Sequence, residues 1–366
     1  MRVLHVISDK NIGGAGVLLS TLLRNFDLAR VESVVALPTG SALRERIVQA
    51  DAEIYELRHP CDRLAPASVL EIARLIRRVR ADVVHSNAAL SARAAARICR
   101  VPVVHTRHCC YPPSGIWEIA SIRYLGGICN RMLSDRVIAT ANAAADNLRA
   151  LGIPNHKISV IINGSEAVRA VGVDELSAYR QRWGIAEKDF TVGICARLES
   201  CKGHDTFLKM AQILLERGPR FRFLIVGEGS RRVELENMAE RLGIADRVVF
   251  TGFVCDMAVV YRLLRVNVNC SEGTETSCLA LSEGMSASLP AVVSDYGGNR
   301  AMIGESAAGF VVPTGDAIAF ADAVWQIAQD AELERTMRAA AYERYLKYYT
   351  AQAMTERVTE VYKSLI

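Results

Sequence analysis

Two glutamates eight residues apart, Glu275 and Glu283, lie in the stretch of this 366-residue chain best suited to chemistry. The stretch runs from Ser271 to Gly298 and reads SEGTETSCLALSEGMSASLPAVVSDYGG. An alternating run before it, Val266–Asn269, reads as a strand, and Ala291–Val293 after it reads as a buried one. Between them the spacing predicts a helix over Cys278–Ala287, with Ser277 as N-cap and Cys278, Leu281 and Met285 as its apolar stripe. Across roughly two turns both carboxylates can border one crevice at the carboxyl end of a sheet, where open α/β folds bind ligands. Backbone N–H groups at the helix start, from Thr276, Ser277 and Cys278, favour an anion there. Such a site suits a ligand carrying both phosphate and hydroxyls, as a nucleotide sugar does. Without that context the two glutamates would read as a solvated loop residue and a solvated helix face.

The elements that must position these groups alternate as in a doubly wound α/β fold. Arg2–Ser8 is a predicted strand, followed by a glycine-rich turn, NIGGAG, and a helix over Val17–Phe26. Glu32–Leu37, Ser41–Ala50 and Ile54–Glu56 continue the alternation. A helix over Ala67–Arg80 places Leu70, Ala73, Leu75 or Ile76, and Val79 on an apolar face and Arg74, Arg77, Arg78 and Arg80 opposite. Strands at Asp82–Ser86 and Val101–Thr106 flank a helix over Ala92–Cys99. A helix over Ile119–Leu133 contains Gly126-Gly127, where a bend or split is expected. Arg136–Ala139, the helix Asn142–Leu151 and Ile158–Ile162 complete the first half, and Asn163-Gly164 signals a turn. Thr191–Ala196 opens the second half, with a loop to a helix from His204. Strands at Phe223–Val226, Val248–Phe250 and Gly309–Val312 follow, and helices over Ala317–Asp330, Ala331–Lys347 and Ala351–Leu365 close the chain.

Several strand ends carry candidate ligand groups. Arg197 and Lys202 sit on the strand-to-helix loop after Thr191–Ala196, again at the carboxyl edge of a sheet. Gly227 and Gly229 follow the next strand as donor-binding candidates, and Gly13 and Gly14 follow the first strand, where a backbone can approach a pyrophosphate. His105 lies at the carboxyl end of its strand, with His108 and His85 as lesser candidates.

In this order and spacing the motifs resemble the family-4 retaining glycosyltransferases, whose signature is Glu-x7-Glu and whose fold is GT-B. The resemblance implies two facing Rossmann-like domains: an acceptor-side domain over 1–170, a nucleotide-sugar-binding domain over 171–348, and a last helix, 349–366, returning to the first. It implies an active site in the cleft between the domains. It assigns the diphosphate to Arg197, Lys202 and, from the first domain, Gly13 and Gly14; the donor sugar to His105 and Glu275; the ribose to Glu283; and the base to the segment from Phe253 to Met257. The implied reaction moves a hexose or N-acetylhexosamine from a UDP- or GDP-linked donor to an acceptor hydroxyl with retention. The proposed front-face route needs no protein nucleophile. No Asp-x-Asp motif stands in a donor-binding context, so neither a metal nor another cofactor is expected. The chain departs from the family pattern at Ala141, where Ser is frequent, at Ser286-Ala287-Ser288, where a glycine is usual, and at Asn299, where Glu is frequent. Another GT-B enzyme, such as a nucleotide-sugar epimerase, and a non-catalytic nucleotide-sugar-binding partner are the alternative readings.

Composition fits this frame. Hydrophobic residues make up 51% and charged ones 23%, which suits a folded chain long enough for two domains. The ten cysteines show no CxxC spacing, as expected for thiols in a reducing cytoplasm. No charge-free apolar run approaches the ~18 residues of a membrane span, and no signal peptide is expected. Residues 1–170 carry 22 Lys and Arg against 14 Asp and Glu, whereas the remainder carries 22 against 26. The basic first half and its arginine face fit a peripheral contact with anionic membrane, and equally a solvated surface. A glycan or lipid-linked acceptor in cell-envelope or exopolysaccharide assembly, at the cytoplasmic face of the membrane, is the matching expectation; no nucleic acid is expected.

Overall fold

The computed structural model describes residues 1–10, 13–108, 120–218, 220–273 and 275–366, and of 120–125 the backbone only. Asn11 and Ile12 of the glycine turn, the cysteines Cys109-Cys110 and the loop around Tyr111–Trp117 lie outside the described residues. Contacts divide the chain into two compact units, Met1–Ser165 with Ala351–Ile366, and Glu166–Thr350. Each is described by itself.

The first unit is a seven-stranded parallel sheet made of β1 (Arg2–Ile7), β2 (Glu32–Pro38), β3 (Glu53–Leu57), β4 (Val83–Asn87), β5 (Val103–Arg107), β6 (Arg136–Ala139) and β7 (Ile158–Val160). Its order is β3-β2-β1-β4-β5-β6-β7, so the winding reverses between β1 and β4. Strands β1 (RVLHVI) and β4 (VVHSN) are buried almost throughout because helices cover both faces of a parallel sheet. The helices are α1 (Gly14–Asn25), α2 (Arg44–Val48), α3 (Pro66–Val79), α4 (Leu90–Cys99), α5 (Ala120–Met132) and α6 (Asn142–Ala150). On α3 the buried stripe is Val69, Ile72, Ala73, Leu75, Ile76 and Val79. Leu70, expected on that stripe, is 56% exposed, because Val69 and Ile72 take the turn facing the core. Helix α5 runs without a break through Gly126-Gly127. Its glycine serves packing instead: a Cβ on Gly127 would stand 1.7 Å from the carbonyl oxygen of Leu151. Ala141 is the N-cap of α6 and offers no side-chain bond to its free N–H groups, the consequence of losing a serine there.

The second unit holds a six-stranded parallel sheet of β8 (Phe190–Cys195), β9 (Phe221–Val226), β10 (Val248–Gly252), β11 (Val266–Asn269), β12 (Ala291–Ser294) and β13 (Gly309–Val312). The order β10-β9-β8-β11-β12-β13 reverses between β8 and β11. Around it lie α7 (Val173–Arg182), α8 (His204–Arg217), α9 (Arg232–Arg241), α10 (Met257–Leu263), α11 (Leu279–Ser286), α12 (Asn299–Ile303), α13 (Ala317–Gln329) and α14 (Ala331–Tyr348). Helices α7, α9, α10 and α12 are not among those expected from the sequence. The first two are mostly polar, and the others are short. Phe207, Phe221, Phe223 and Phe320 are fully buried between sheet and helices.

The last helix, α15 (Ala351–Lys363), packs Met354, Val358, Val361 and Tyr362 against Leu18, Leu22 and Phe26 of α1 in the first unit. Its Tyr362 hydroxyl lies 2.6 Å from Nδ1 of His85, whose Nε2 lies 2.6 Å from the Thr106 hydroxyl. His85 is therefore a satisfied core residue on β4 and leaves the set of ligand candidates. His5 on β1 packs on His85, Phe26 and Tyr362, and burial pushes its ring down to about 3. A histidine held neutral in the fold and protonated in the unfolded chain leaves stability intact above about pH 6.5 and removes it as pH falls further. The loss per such histidine is about 1.4 kcal/mol per pH unit below that point. Denaturant midpoints measured from pH 7.5 to 5 should fall steeply for the natural chain and less steeply for His5→Phe. Parallel profiles would show that His5 is not held neutral.

Candidate active site

The second unit's switch point brings together residues far apart in sequence. After β8 the chain passes Arg197, makes a tight turn over Ser200–Lys202, and enters α8 through Gly203 at φ 68°. Only glycine fits that entry, since a Cβ would stand 2.0 Å from the carbonyl oxygen of Cys270. The loop after β11 lies on the same turn, where the N–H groups of Glu272 and Gly273 donate to the carbonyl of Cys201 at 2.9 and 3.3 Å. The two loops are laced together at the carboxyl ends of neighbouring strands, where an α/β sheet opens its crevice.

At their junction Lys202 Nζ stands 2.7 Å from Glu275 Oε2, and both side chains are largely out of water, 17% and 8% exposed. Burial works against the lysine's charge, but the Glu275 carboxylate, the neighbouring Cys278 sulfur and the hydrogen bond outweigh it. The Lys202 ammonium is held above its ordinary range. Ser271 Oγ donates to the same Oε2 at 2.9 Å. Gly297, at φ 58°, closes the other side, where a Cβ would stand 2.1 Å from the Glu275 carbonyl oxygen. Behind Glu275 runs a buried polar network. Asn269 Oδ1 accepts from the Ser271 N–H at 2.9 Å and from Asn299 Nδ2 at 3.3 Å, while Asn269 Nδ2 donates to Cys278 Sγ at 3.0 Å. Ser294 Oγ donates to the Ser271 carbonyl at 2.6 Å. Asn299, one of the departures from the family pattern, thus bridges the ends of β11 and β12 through Asn269 and, at 3.1 Å, Ser294 Oγ.

The helix after Glu275 begins one residue later than its sequence suggests. Cys278 is its N-cap, and its carbonyl accepts from the N–H groups of Leu281 and Ser282. Ser277 is not the cap and lies buried in the preceding loop together with Thr276. Leu281 and Met285 face the core as expected, whereas Cys278 is only partly buried. Its thiol is pushed up to about 12 by burial and by the Glu275 charge. Glu283 is half-buried on α11 and accepts from the Tyr261 hydroxyl at 2.7 Å. Where a glycine is usual after this helix, Ser288 takes the left-handed conformation at φ 61°. The Leu289 N–H still reaches the Gly284 carbonyl at 2.9 Å, so the helix closes as it would with glycine, at roughly 1 kcal/mol of backbone strain.

Arg197 is exposed and is given no ion-pair partner among the described residues. Gly227 and Gly229 set the loop beneath it: a Cβ on either would stand 2.2 Å from the Ala196 carbonyl oxygen or 2.5 Å from that of Leu198. Their demonstrated role is close packing of the β8 and β9 loops. Phe253, at the end of β10, is 58% exposed.

Gly13, Gly14 and His105 belong to the first unit. Gly13 is the N-cap of α1 beside the β1–β4 reversal, and a Cβ on Gly14 would meet nothing within 4 Å. His105 Nδ1 lies 3.3 Å from the Ser86 carbonyl oxygen. Burial, reinforced by Arg93, holds this ring well below its ordinary value, so it is a neutral imidazole. His108 Nε2 pairs with Asn87 Oδ1 at 2.9 Å, and burial lowers it to about 4.

Sequence reasoning missed Ser271, Asn269, Tyr261 and Gly297. One signal was present: two asparagines in VNVN, on a strand buried on both faces, must find partners inside the protein.

Comparison with known proteins places this geometry. The family model for Glycosyltransferase Family 4 matches residues 12–168, and that for Glycosyl transferases group 1 matches residues 177–344. The chain is 30% identical over 226 residues to the putative glycosyltransferase EpsD of Bacillus subtilis, covering 60% of this chain and 58% of that relative. It is 29% identical to the 2-deoxystreptamine N-acetyl-D-glucosaminyltransferase of Streptomyces fradiae, over 96% of this chain and 91% of that one. Among solved structures, Anabaena HepE in complex with UDP-glucose superposes with a TM-score of 0.88 at 21% identity, covering both chains in full. Sucrose-phosphate synthase from Thermosynechococcus elongatus superposes at 0.77 with 17% identity, covering 100% and 99%.

Proposed function

The chain belongs to the family-4, group 1 glycosyltransferases with the GT-B fold, and on that premise we propose a retaining transferase that uses a nucleoside diphosphate sugar. It moves a hexose or N-acetylhexosamine to an acceptor hydroxyl. The observation that carries this reading is the buried Lys202–Glu275 pair at the switch point between β8 and β11. A cation and a carboxylate side by side offer one group for a diphosphate and one for sugar hydroxyls. As the bond from the anomeric carbon to the β-phosphate oxygen breaks, negative charge grows on the diphosphate. Lys202 and Arg197 stabilise that charge more in the transition state than in the ground state. Glu275 holds sugar hydroxyls and faces the positive charge developing at the anomeric carbon. The acceptor oxygen forms the new bond on the same face, and its proton passes to the departing phosphate oxygen. Glu283 binds the ribose hydroxyls.

Lysine, arginine and backbone N–H groups supply the positive charge here, so no metal is required. For the acceptor, support comes from α3. Arg74, Arg77, Arg78 and Arg80 are all exposed, and Leu70 stands exposed with them. Such a face suits an anionic membrane surface carrying a lipid-linked sugar, in envelope or exopolysaccharide assembly. No helix among the described residues is long and apolar enough to cross a membrane.

Three measurements test this reading. UDP-glucose, the ligand of the HepE structure, heads the panel of UDP- and GDP-sugars with which donors are sought. Lys202→Ala should cut turnover about a hundredfold or more, equivalent to ~3–4 kcal/mol, with a much smaller effect on donor affinity. Near-normal turnover at saturating donor would remove Lys202 from the mechanism. EDTA should leave transfer largely intact, and complete loss restored by magnesium or manganese would contradict the metal-free account. Co-sedimentation with anionic but not neutral vesicles is expected, lost when all four arginines of α3 become glutamine and weakened as salt shortens the screening length to roughly 3 Å at 1 M. Equal, negligible sedimentation throughout would mark α3 as a solvated surface.

A further inference from the structure

The buried phenol beside Glu283 has no part in the reaction just described. Tyr261 is 1% exposed on α10, and its hydroxyl lies 2.7 Å from Glu283 Oε2. Packing alone would be served by phenylalanine. A buried hydroxyl costs free energy unless it is paired, and its pairing with a carboxylate is among the stronger kinds.

Everything around this contact is fixed. Helix α10 is capped by Asp256, whose carboxylate accepts from the Ala258 N–H at 3.0 Å. Arg262 ties the helix to the carbonyls of Val168 and Arg169 at 3.1 and 3.3 Å. Val259, Val260 and Leu263 sit in a core with Trp183 and Leu289. On the other side, Asn267 Nδ2 donates to the Ala280 carbonyl at 2.8 Å, and Gly284 packs so close that a Cβ would stand 2.5 Å from that nitrogen. Ser286 Oγ donates to the Glu283 carbonyl at 2.7 Å and accepts from the Val168 N–H at 3.0 Å. The backbone of Glu283 is thus held from below, and the Tyr261 hydroxyl is one of the contacts that set its side chain. Burial, with the Glu283 charge, keeps the Tyr261 phenol well above its ordinary range, so it stays a donor.

We propose that Tyr261 is a positioning residue: its hydroxyl fixes the Glu283 carboxylate in the orientation that meets the two ribose hydroxyls of a nucleoside diphosphate. This rests on the reading that Glu283 binds ribose. A carboxylate offers about four lone-pair sites, and Tyr261 engages one of them. Without the phenol the carboxylate loses a charge-assisted hydrogen bond that sets its orientation, so selectivity for ribose falls.

The test compares calorimetric Kd values for UDP and 2′,3′-dideoxy-UDP, and for GDP and 2′,3′-dideoxy-GDP, on the full chain. The natural protein should bind the ribose form of its preferred nucleotide at least tenfold more tightly. Tyr261→Phe should reduce that ratio about three- to tenfold while leaving the Kd of the dideoxy form unchanged. Para-aminophenylalanine at position 261, which keeps a donor in the same place, should restore the ratio. A merely structural role would weaken both forms alike in Tyr261→Phe, and that result would overturn the proposal. So would an unchanged ratio in Tyr261→Phe alongside a ratio abolished by Glu283→Ala. If Glu283→Ala itself leaves the ratio unchanged, or neither nucleotide binds, the ribose reading fails and the proposal with it. Should Tyr261→Phe fail to fold, the para-aminophenylalanine protein decides alone: a ratio well below that of the natural chain counts against positioning.

Discussion

A lysine and a glutamate taken out of water together are tolerable only while they remain a pair. Moving either ion from solvent costs several kcal/mol, roughly, and their attraction repays this only with close geometry and further hydrogen bonds. Lys202 and Glu275 meet at 2.7 Å, with Ser271 adding a second donor to the carboxylate. The surrounding construction keeps them there. Gly203 lets the lysine loop press on Cys270, and Gly297 lets the next loop press on Glu275 itself. The pair is therefore a preassembled charge arrangement. A ligand bringing a diphosphate for the lysine and hydroxyls for the carboxylate replaces one set of partners with another without unfolding the loops.

That arrangement depends on the sheet's winding order. Because β8 stands between β9 and β11, its following loop turns one way while the loop after β11 turns the other. The carboxyl ends between them are left uncovered by crossovers. The first unit repeats the device at β1 and β4, where Gly13 caps α1. There the closing element comes from the far end of the chain, with Tyr362 of α15 sealing His85 and His5 beneath the sheet. The histidines that remain neutral in this unit do so chiefly through exclusion of water, with Arg93 adding to it at His105.

Much of this was legible in residue order, because parallel strands are short valine-rich runs and their loops carry glycine and charge at fixed places. Glu275, Glu283, Arg197 and Lys202 stood out by spacing along the chain. What spacing does not convey is which polar residue supports another across the fold. Tyr261 belongs to a seven-residue helix, too short to show a period even though Asp256 caps it, and its partner lies 22 positions away. Asn269 reads as part of an ordinary alternating strand, yet it is buried and ties the loop after β11, through Ser271 and Cys278, to Asn299 of α12. Ser277 has the chemistry of an N-cap, but the chain turns into α11 one residue later, at Cys278. Gly126-Gly127 looked like a helix break and proved to be a contact surface, a distinction set by the Leu151 carbonyl and invisible in the helix's own sequence. His85 matched a strand-end pattern and went to the core because Tyr362, distant in sequence, supplies its hydrogen bond.

The claim on which the rest turns is that the Lys202–Glu275 pair is the donor's reaction centre. A crystal structure of the protein with the nucleoside diphosphate that raises its melting temperature most would test it directly. The account predicts a phosphate oxygen within hydrogen-bond distance of Lys202 Nζ, at the carboxyl ends of β8 and β11, with the ribose hydroxyls on Glu283. A nucleotide bound elsewhere, with Lys202 and Glu275 still closed on each other and untouched by it, would contradict the account.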